Sequence, residues 1–248
     1  MTDSSKKIWC PEREGASTVI GKAQLIEQPS TTKVWRYLST EKFLFTLATQ
    51  SFYFPTLGQL DDNNEGDLEK ARVILNKSGN GDALKDFENP QARKNFRVLC
   101  FYKSETECDL MWRAFCPLGG VAVVSTAQKI VDCLETNRES HMIRVVYGND
   151  NWDRIHPIGV KAGEFKSENE IRIIQGKEGR HVKRSLENEK KWSDDDEYVK
   201  INEWNFIDEI IISPNNKLVV ESMIKKILFQ GLLNLPEFVL RHSNISRS

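Results

Sequence analysis

The chain of 248 residues lacks any apolar run near the roughly 18 to 20 residues that a bilayer-spanning helix needs. Its first residues carry neither the basic nor the apolar region of a secretory signal, so a cytoplasmic protein with no membrane partner is expected. The net charge of -1 gives no global pull toward nucleic acid or anionic lipid, which leaves such contacts to local patches. Cysteine is sparse and odd in number (Cys10, Cys100, Cys108, Cys116, Cys133), and reduced thiols are expected. There is no C-x-x-C or H-E-x-x-H, and Cys100, Cys108 and Cys116 are too widely spaced for a zinc knuckle, so no metal is expected. The absence of G-x-S-x-G, G-x-x-x-x-G-K and G-x-G-x-x-G removes the common hydrolase, P-loop and dinucleotide-fold readings. The four histidines, among them His156 before Pro157 and His181 in a charged segment, read as surface residues.

What is present is an ordinary globular composition: 39% hydrophobic and 29% charged residues can enclose a core, with no shift that divides the chain. Residues 1–30 show no sustained period and read as a flexible N-terminal arm. Residues 33–38 form an aromatic and β-branched strand in which Arg36 lies between Val34 and Leu38 on one face, company in which an arginine needs a partner. Ser39 or Thr40 can cap a following helix striped by Phe43, Leu44, Leu47 and Ala48. Residues 52–54 read as a strand, residues 60–67 as an acidic loop in which Asp67 caps a helix to about Lys77, and residues 96–102 as a strand. Next come a helical turn at 109–115, a central strand at 121–124, and a helix capped by Thr126 with Ala127, Ile130, Val131 and Leu134 on one stripe. Strands at 142–147 and 206–212, a C-terminal helix started by Ser213-Pro214, and a short element at 235–240 complete the reading. Strict β-α alternation is missing, and several connections are too short for parallel crossovers. The expectation is therefore an α+β fold: a mainly antiparallel mixed sheet flanked by helices, one domain over 31–248, with a charged loop or insertion at 176–198.

Residues 165–172 carry the chemistry. Read as a strand, they place Lys166, Glu168, Glu170 and Arg172 on one face and Phe165 and Ile171 on the other. Such a face is either solvated or the wall of a polar cleft. Asp61, Asn63, Glu65 and Gly66 superficially follow a calcium loop, but its twelfth position is Arg72 where a carboxylate is required, so a turn and helix cap fit better. Met111-Trp112 with Phe115 reads as core packing.

Several separated pieces together resemble the uncharacterised bacterial family called domain of unknown function 2971: Trp35-Arg36-Tyr37, Phe52-Tyr53-Phe54 leading to a loop of N-D-P-F-E-G type, Cys100-Phe101, Met111-Trp112, a glycine before an apolar strand, and E-x-E-x-R at Glu168, Glu170 and Arg172. The resemblance spans about residues 33 to 229. It departs at 61–66, where Asp62, Glu65 and Gly66 are kept and the proline is lost, and at Phe115, where tyrosine is typical. The family implies no established activity, and makes Asp62, Glu65, Met111 and Trp112 a further candidate site.

A second resemblance is to the ADP-ribosyltransferase layout, with Arg36 on an early strand, Tyr53 and Thr56 next, and Glu168 and Glu170 late. It implies ADP-ribosyl transfer to a protein or nucleic acid, or simple NAD hydrolysis, with NAD as cofactor held by Arg36, Tyr53, Thr56 and Arg172, Glu170 stabilising an oxocarbenium-like transition state and Glu168 orienting the acceptor. Two other readings stay open. In one, Asp62, Glu65, Glu168 and Glu170 hold magnesium for phosphodiester cleavage. In the other, the charges form a structural ion-pair network in a non-catalytic binding or sensor module, with the basic stretch 177–184 facing an acidic partner.

Overall fold

A computed structural model of the chain describes residues 24–25, 29–60, 73, 96–135, 140–148, 157–176, 198–229 and 238–245. The acidic loop with Asp62 and Glu65, the helix following Asp67, and residues 177–197 of the charged segment lie outside the described residues.

The fold is α+β. The strands are β1 (Gln24–Leu25), β2 (Lys33–Ser39), β3 (Ser51–Tyr53), β4 (Phe96–Lys103), β5 (Gly120–Thr126), β6 (Leu134–Glu135), β7 (Ser140–Arg144), β8 (Val146–Tyr147), β9 (Val160–Lys161), β10 (Glu170–Gly176), β11 (Tyr198–Ile201), β12 (Glu209–Ile212) and β13 (Val239–His242). The helices are α1 (Thr40–Thr49), α2 (Asp109–Phe115), α3 (Ala127–Cys133) and α4 (Lys217–Phe229). Eight strands form one sheet in the order β1-β7-β10-β4-β2-β5-β12-β13. Its pairs are antiparallel except β1 with β7 and β12 with β13. Smaller sheets join β3-β11-β6 and β8-β9.

Local chemistry explains the elements that position the site. Ser39 ends β2 and its hydroxyl accepts from the Lys42 amide at 3.4 Å, starting α1, while Gln50 closes that helix in the left-handed region at φ 51°. Thr126 does the same between β5 and α3, accepting from Lys129 at 3.4 Å. Gly120 lets β5 approach β2: a Cβ there would lie 2.1 Å from the Leu38 carbonyl oxygen.

Several boundaries differ from expectation. The Thr126-capped helix stops at Cys133, and Leu134 turns into β6, where Ile201 pairs with it. Ser213-Pro214 does not open the C-terminal helix. The Ser213 hydroxyl instead accepts from the Asn215 amide at 3.0 Å in a turn, and α4 begins at Lys217. Residues 204–206 form a 3-10 turn, so the strand read from Phe206 starts at Glu209. Within the stretch read as an arm, Gln24–Leu25 pairs in parallel with β7.

Residues directly opposite across paired strands share a face. One face of the large sheet carries Val34, Leu38, Leu99, Phe101, Ile171 and Ile173, which merge with α1 and α3 into the main core. The other carries Trp35 and Tyr37 packed on Met111 and Trp112 of α2, with Val98 and Ile174 under Leu57 and Ile158. Burying each of these side chains stabilises the fold by roughly 1.5–3 kcal/mol.

Candidate functional site

The charged residues singled out in 165–172 come together, but not on one strand. Residues Gly163–Glu168 form a 3-10 segment that ends at Asn169 in the left-handed conformation (φ 38°), and β10 begins only at Glu170. The strand expected over 165–172 is thus corrected. Alternation of charged and uncharged residues suits a strand, yet asparagine tolerates positive φ, and here it ends the 3-10 segment just before β10. Its side-chain amide donates to the Lys103 carbonyl at 2.5 Å, and its own carbonyl accepts from the Lys103 amide at 2.9 Å. Lys166 and Phe165 therefore do not occupy opposite faces of a strand.

Glu170 (7% exposed) sits opposite Tyr102 of β4, and Arg172 (0% exposed) opposite Cys100. The Arg172 guanidinium clamps the carboxylate through Nε to Oε1 at 2.7 Å and Nη2 to Oε2 at 2.9 Å, and its Nη1 donates to the Ile158 carbonyl at 2.9 Å. This two-point fork is the strongest protein geometry for holding a carboxylate. Lys161 of β9, 7% exposed, donates to Glu170 Oε2 at 3.4 Å and to Glu168 Oε2 at 2.5 Å, with its ammonium 4.8 Å from the Phe165 ring centroid. Cys100, opposite Arg172 on β4, helps hold the Glu170 charge. The Glu170 amide donates to the Tyr147 hydroxyl at 2.7 Å.

Burial alone would raise the pKa of Glu170. The charge and hydrogen bonds of Arg172, then Lys161 and Cys100, outweigh it and hold the carboxyl at about 2. Burial pushes the Tyr147 phenol up. Glu170 is thus an ionised acceptor, and Tyr147 a neutral hydroxyl.

Arg36 lies elsewhere. Trp35 pairs with Tyr102 and Tyr102 with Glu170, so Trp35 shares the face of Glu170 and Arg36 points to the other. Its partner is a backbone carbonyl: β2 and β4 pair only at Val34↔Lys103 and Trp35↔Tyr102, and Arg36 Nη1 then donates to the Cys100 carbonyl that β2 has left. Its guanidinium lies 5.7 Å from the Phe101 ring centroid, while the buried Nε has no acceptor among the described residues. Burial lowers its pKa, opposed by Cys100 and Glu170. The remaining edge of β4 is covered by residues 54–56, through the Val98 amide to the Pro55 carbonyl at 2.9 Å and Arg97 Nη1 to the Phe54 carbonyl at 3.2 Å.

The other candidates among the described residues do not join the cluster. Tyr53 belongs to the small sheet, its ring 5.5 Å from that of Tyr198. Thr56 bridges Arg97, five residues along β4 from Tyr102 and so about 16 Å from the level of Glu170. The Thr56 hydroxyl is engaged by the Gln59 side chain at 3.2 Å. Met111 and Trp112 are buried core: the Trp112 ring meets Tyr37 edge-on at 4.8 Å, and its Nε1 donates to Glu107 at 3.2 Å. Lys161 and Tyr147 were missed in the sequence. The signal for Lys161 is a single charge inside the apolar run Ile158-Gly159-Val160-Lys161-Ala162, which marks a buried cation in need of a carboxylate. Tyr147 ends an apolar strand and gives no comparable sign.

No family model matches the sequence, and neither a curated protein nor a solved structure matches it.

Proposed function

We propose that the protein is a non-catalytic binding or sensor module, related to domain of unknown function 2971, in which the Glu170 cluster is a structural latch. One observation carries this reading. The Glu170 carboxylate is buried, and both of its oxygens are engaged by cations of the chain, Oε1 and Oε2 by Arg172 and Oε2 also by Lys161. A carboxylate so engaged is turned toward its own ion pairs rather than toward a ribose or an acceptor. The latch ties β10, β4, β9 and the 3-10 segment together, so it fixes the sheet and the turn carrying Glu168.

The family part of the proposal is supported by where its pieces lie. Trp35 and Tyr37 pack on Met111 and Trp112, and Cys100, Glu170 and Arg172 face the same side of the sheet, whereas Arg36 and Phe101 face the other and Tyr53 lies in the small sheet. Against the transferase reading stand the opposite faces of Arg36 and Glu170 and the distance of Thr56 from both.

The test is NAD consumption with and without cellular protein and nucleic acid, for the wild type and for Glu170→Gln and Arg36→Ala variants whose folding is checked by circular dichroism. The module reading expects no turnover from any of them. Turnover by the wild type that disappears in both folded variants would replace it with the transferase reading.

A further inference from the structure

Apart from the charge cluster, the most unusual surface is formed by the α2–β5 loop and the start of α4. Leu118 is 82% exposed, Leu218 75% and Val219 62%, and Phe115 is exposed beside them in sequence. These are not loose tips. Asn215 Nδ2 donates to the Pro117 carbonyl at 2.9 Å, and Asn216 Nδ2 to the Leu118 carbonyl at 2.6 Å. Gly119, at φ 113°, allows the close approach, since a Cβ there would lie 3.2 Å from the Asn215 carbonyl and 3.3 Å from Val220. Side chains this exposed project from the surface rather than line a groove, and the two bonds hold the backbone of Leu118 against the segment that leads into Leu218 and Val219. Exposed apolar side chains carried on segments tied in this way mark an interaction surface.

Charge decides what it fits. Neither 110–120 nor 213–220 contains a carboxylate, while Arg113 and Lys217 are exposed within them and Lys225 and Lys226 continue along the solvent side of α4. Asp109 pairs with Arg113 at 2.7 Å and Glu221 with Lys225 at 2.5 Å, which leaves Lys217 and Lys226 without a recorded carboxylate among the described residues. A second copy of the chain would set like charges against each other across a two-fold axis. Projecting leucines rimmed by lysines match an anionic lipid interface, where apolar side chains enter the acyl boundary and cations meet headgroups.

We propose that this end of the molecule docks peripherally on an anionic lipid surface, with Leu118, Leu218 and Val219 entering the interface. No described helix is long and apolar enough to cross a membrane. The net charge of -1 conceals it because the basic residues are local. The inference stands independently of the role of Glu170.

The experiment is cosedimentation of the full chain with phosphatidylcholine vesicles with and without about one third phosphatidylglycerol, at low and high salt, alongside sedimentation velocity without lipid. The expected result is binding to the anionic vesicles at least about fivefold above the neutral ones, weakened at about 0.5 M salt. The Leu118→Glu/Leu218→Glu variant, with unchanged circular dichroism, should bind at least about tenfold less. Lys217→Glu/Lys226→Glu should lose the anionic preference. No binding to anionic vesicles, or undiminished binding by the leucine variant, would overturn the proposal. So would a dimer that the leucine variant dissolves, which would reassign the patch to self-association.

Discussion

Replacing Glu170 by glutamine removes one negative charge from a buried group of two cations and leaves Arg172 and Lys161 facing a neutral amide. At neutral pH this should cost about 3–5 kcal/mol, the range for breaking a buried ion pair from one side. The pH dependence gives a sharper signature. The carboxyl titrates at about 2 in the folded chain against 4.5 in its ordinary state, a difference worth about 3 kcal/mol at 1.36 kcal/mol per pH unit. Because the folded value is the lower one, the wild type has this stabilisation in full above pH 4.5 and loses it as the pH falls toward 2. Glutamine does not titrate. The stability difference between wild type and variant should therefore shrink by about 3 kcal/mol between pH 5 and pH 2, while contributions from other carboxylates cancel in the comparison. Urea unfolding followed by tryptophan fluorescence at several pH values measures it. Parallel loss of stability in both proteins over that window, or equal stability at pH 7, would refute the latch.

Two further substitutions probe how the site is held. Gly120→Ala should destabilise by more than about 3 kcal/mol, because its Cβ meets backbone oxygen in the β2–β5 pair; a melting temperature within about 3 °C of wild type would contradict the close approach. Asn169→Val should cost about 1–2 kcal/mol for a β-branched residue at positive φ, and roughly another 1 kcal/mol for the lost bond to the Lys103 carbonyl. Asn169→Gly should recover the first part in the same melting experiment, since glycine accepts that conformation.

The parts of the fold legible in the sequence were those whose signal is local. The β2 strand and the α1 helix follow from an apolar pattern closed by Ser39, and the central strand β5 from an unbroken apolar run. Arg36 declared its need for a partner, but a backbone carbonyl exposed by the divergence of β2 from β4 is a property of the sheet and leaves no mark on the residues near Arg36. The same holds for the latch. Glu170 and Arg172 were visible as charges two apart on a strand, whereas Lys161 and Tyr147 arrive on two-residue strands whose pairing only the folded chain defines. Glu168 reads as a strand residue in the sequence because alternation cannot distinguish a strand from a 3-10 segment ended by one left-handed asparagine. Boundaries set by turns, such as the start of α4 after Asn216, likewise depend on side-chain bonds between segments distant in sequence.

Titrating the Glu170 side-chain carboxyl by carbon NMR, in protein labelled at glutamate and assigned by comparison with Glu170→Gln, tests the central claim most directly. A latched carboxylate should keep its ionised chemical shift from neutral pH down to about 3 and titrate near 2 with the onset of acid unfolding. A midpoint at or above the ordinary value of 4.5 would show a carboxyl free of its partners, and the structural account of the cluster would fall.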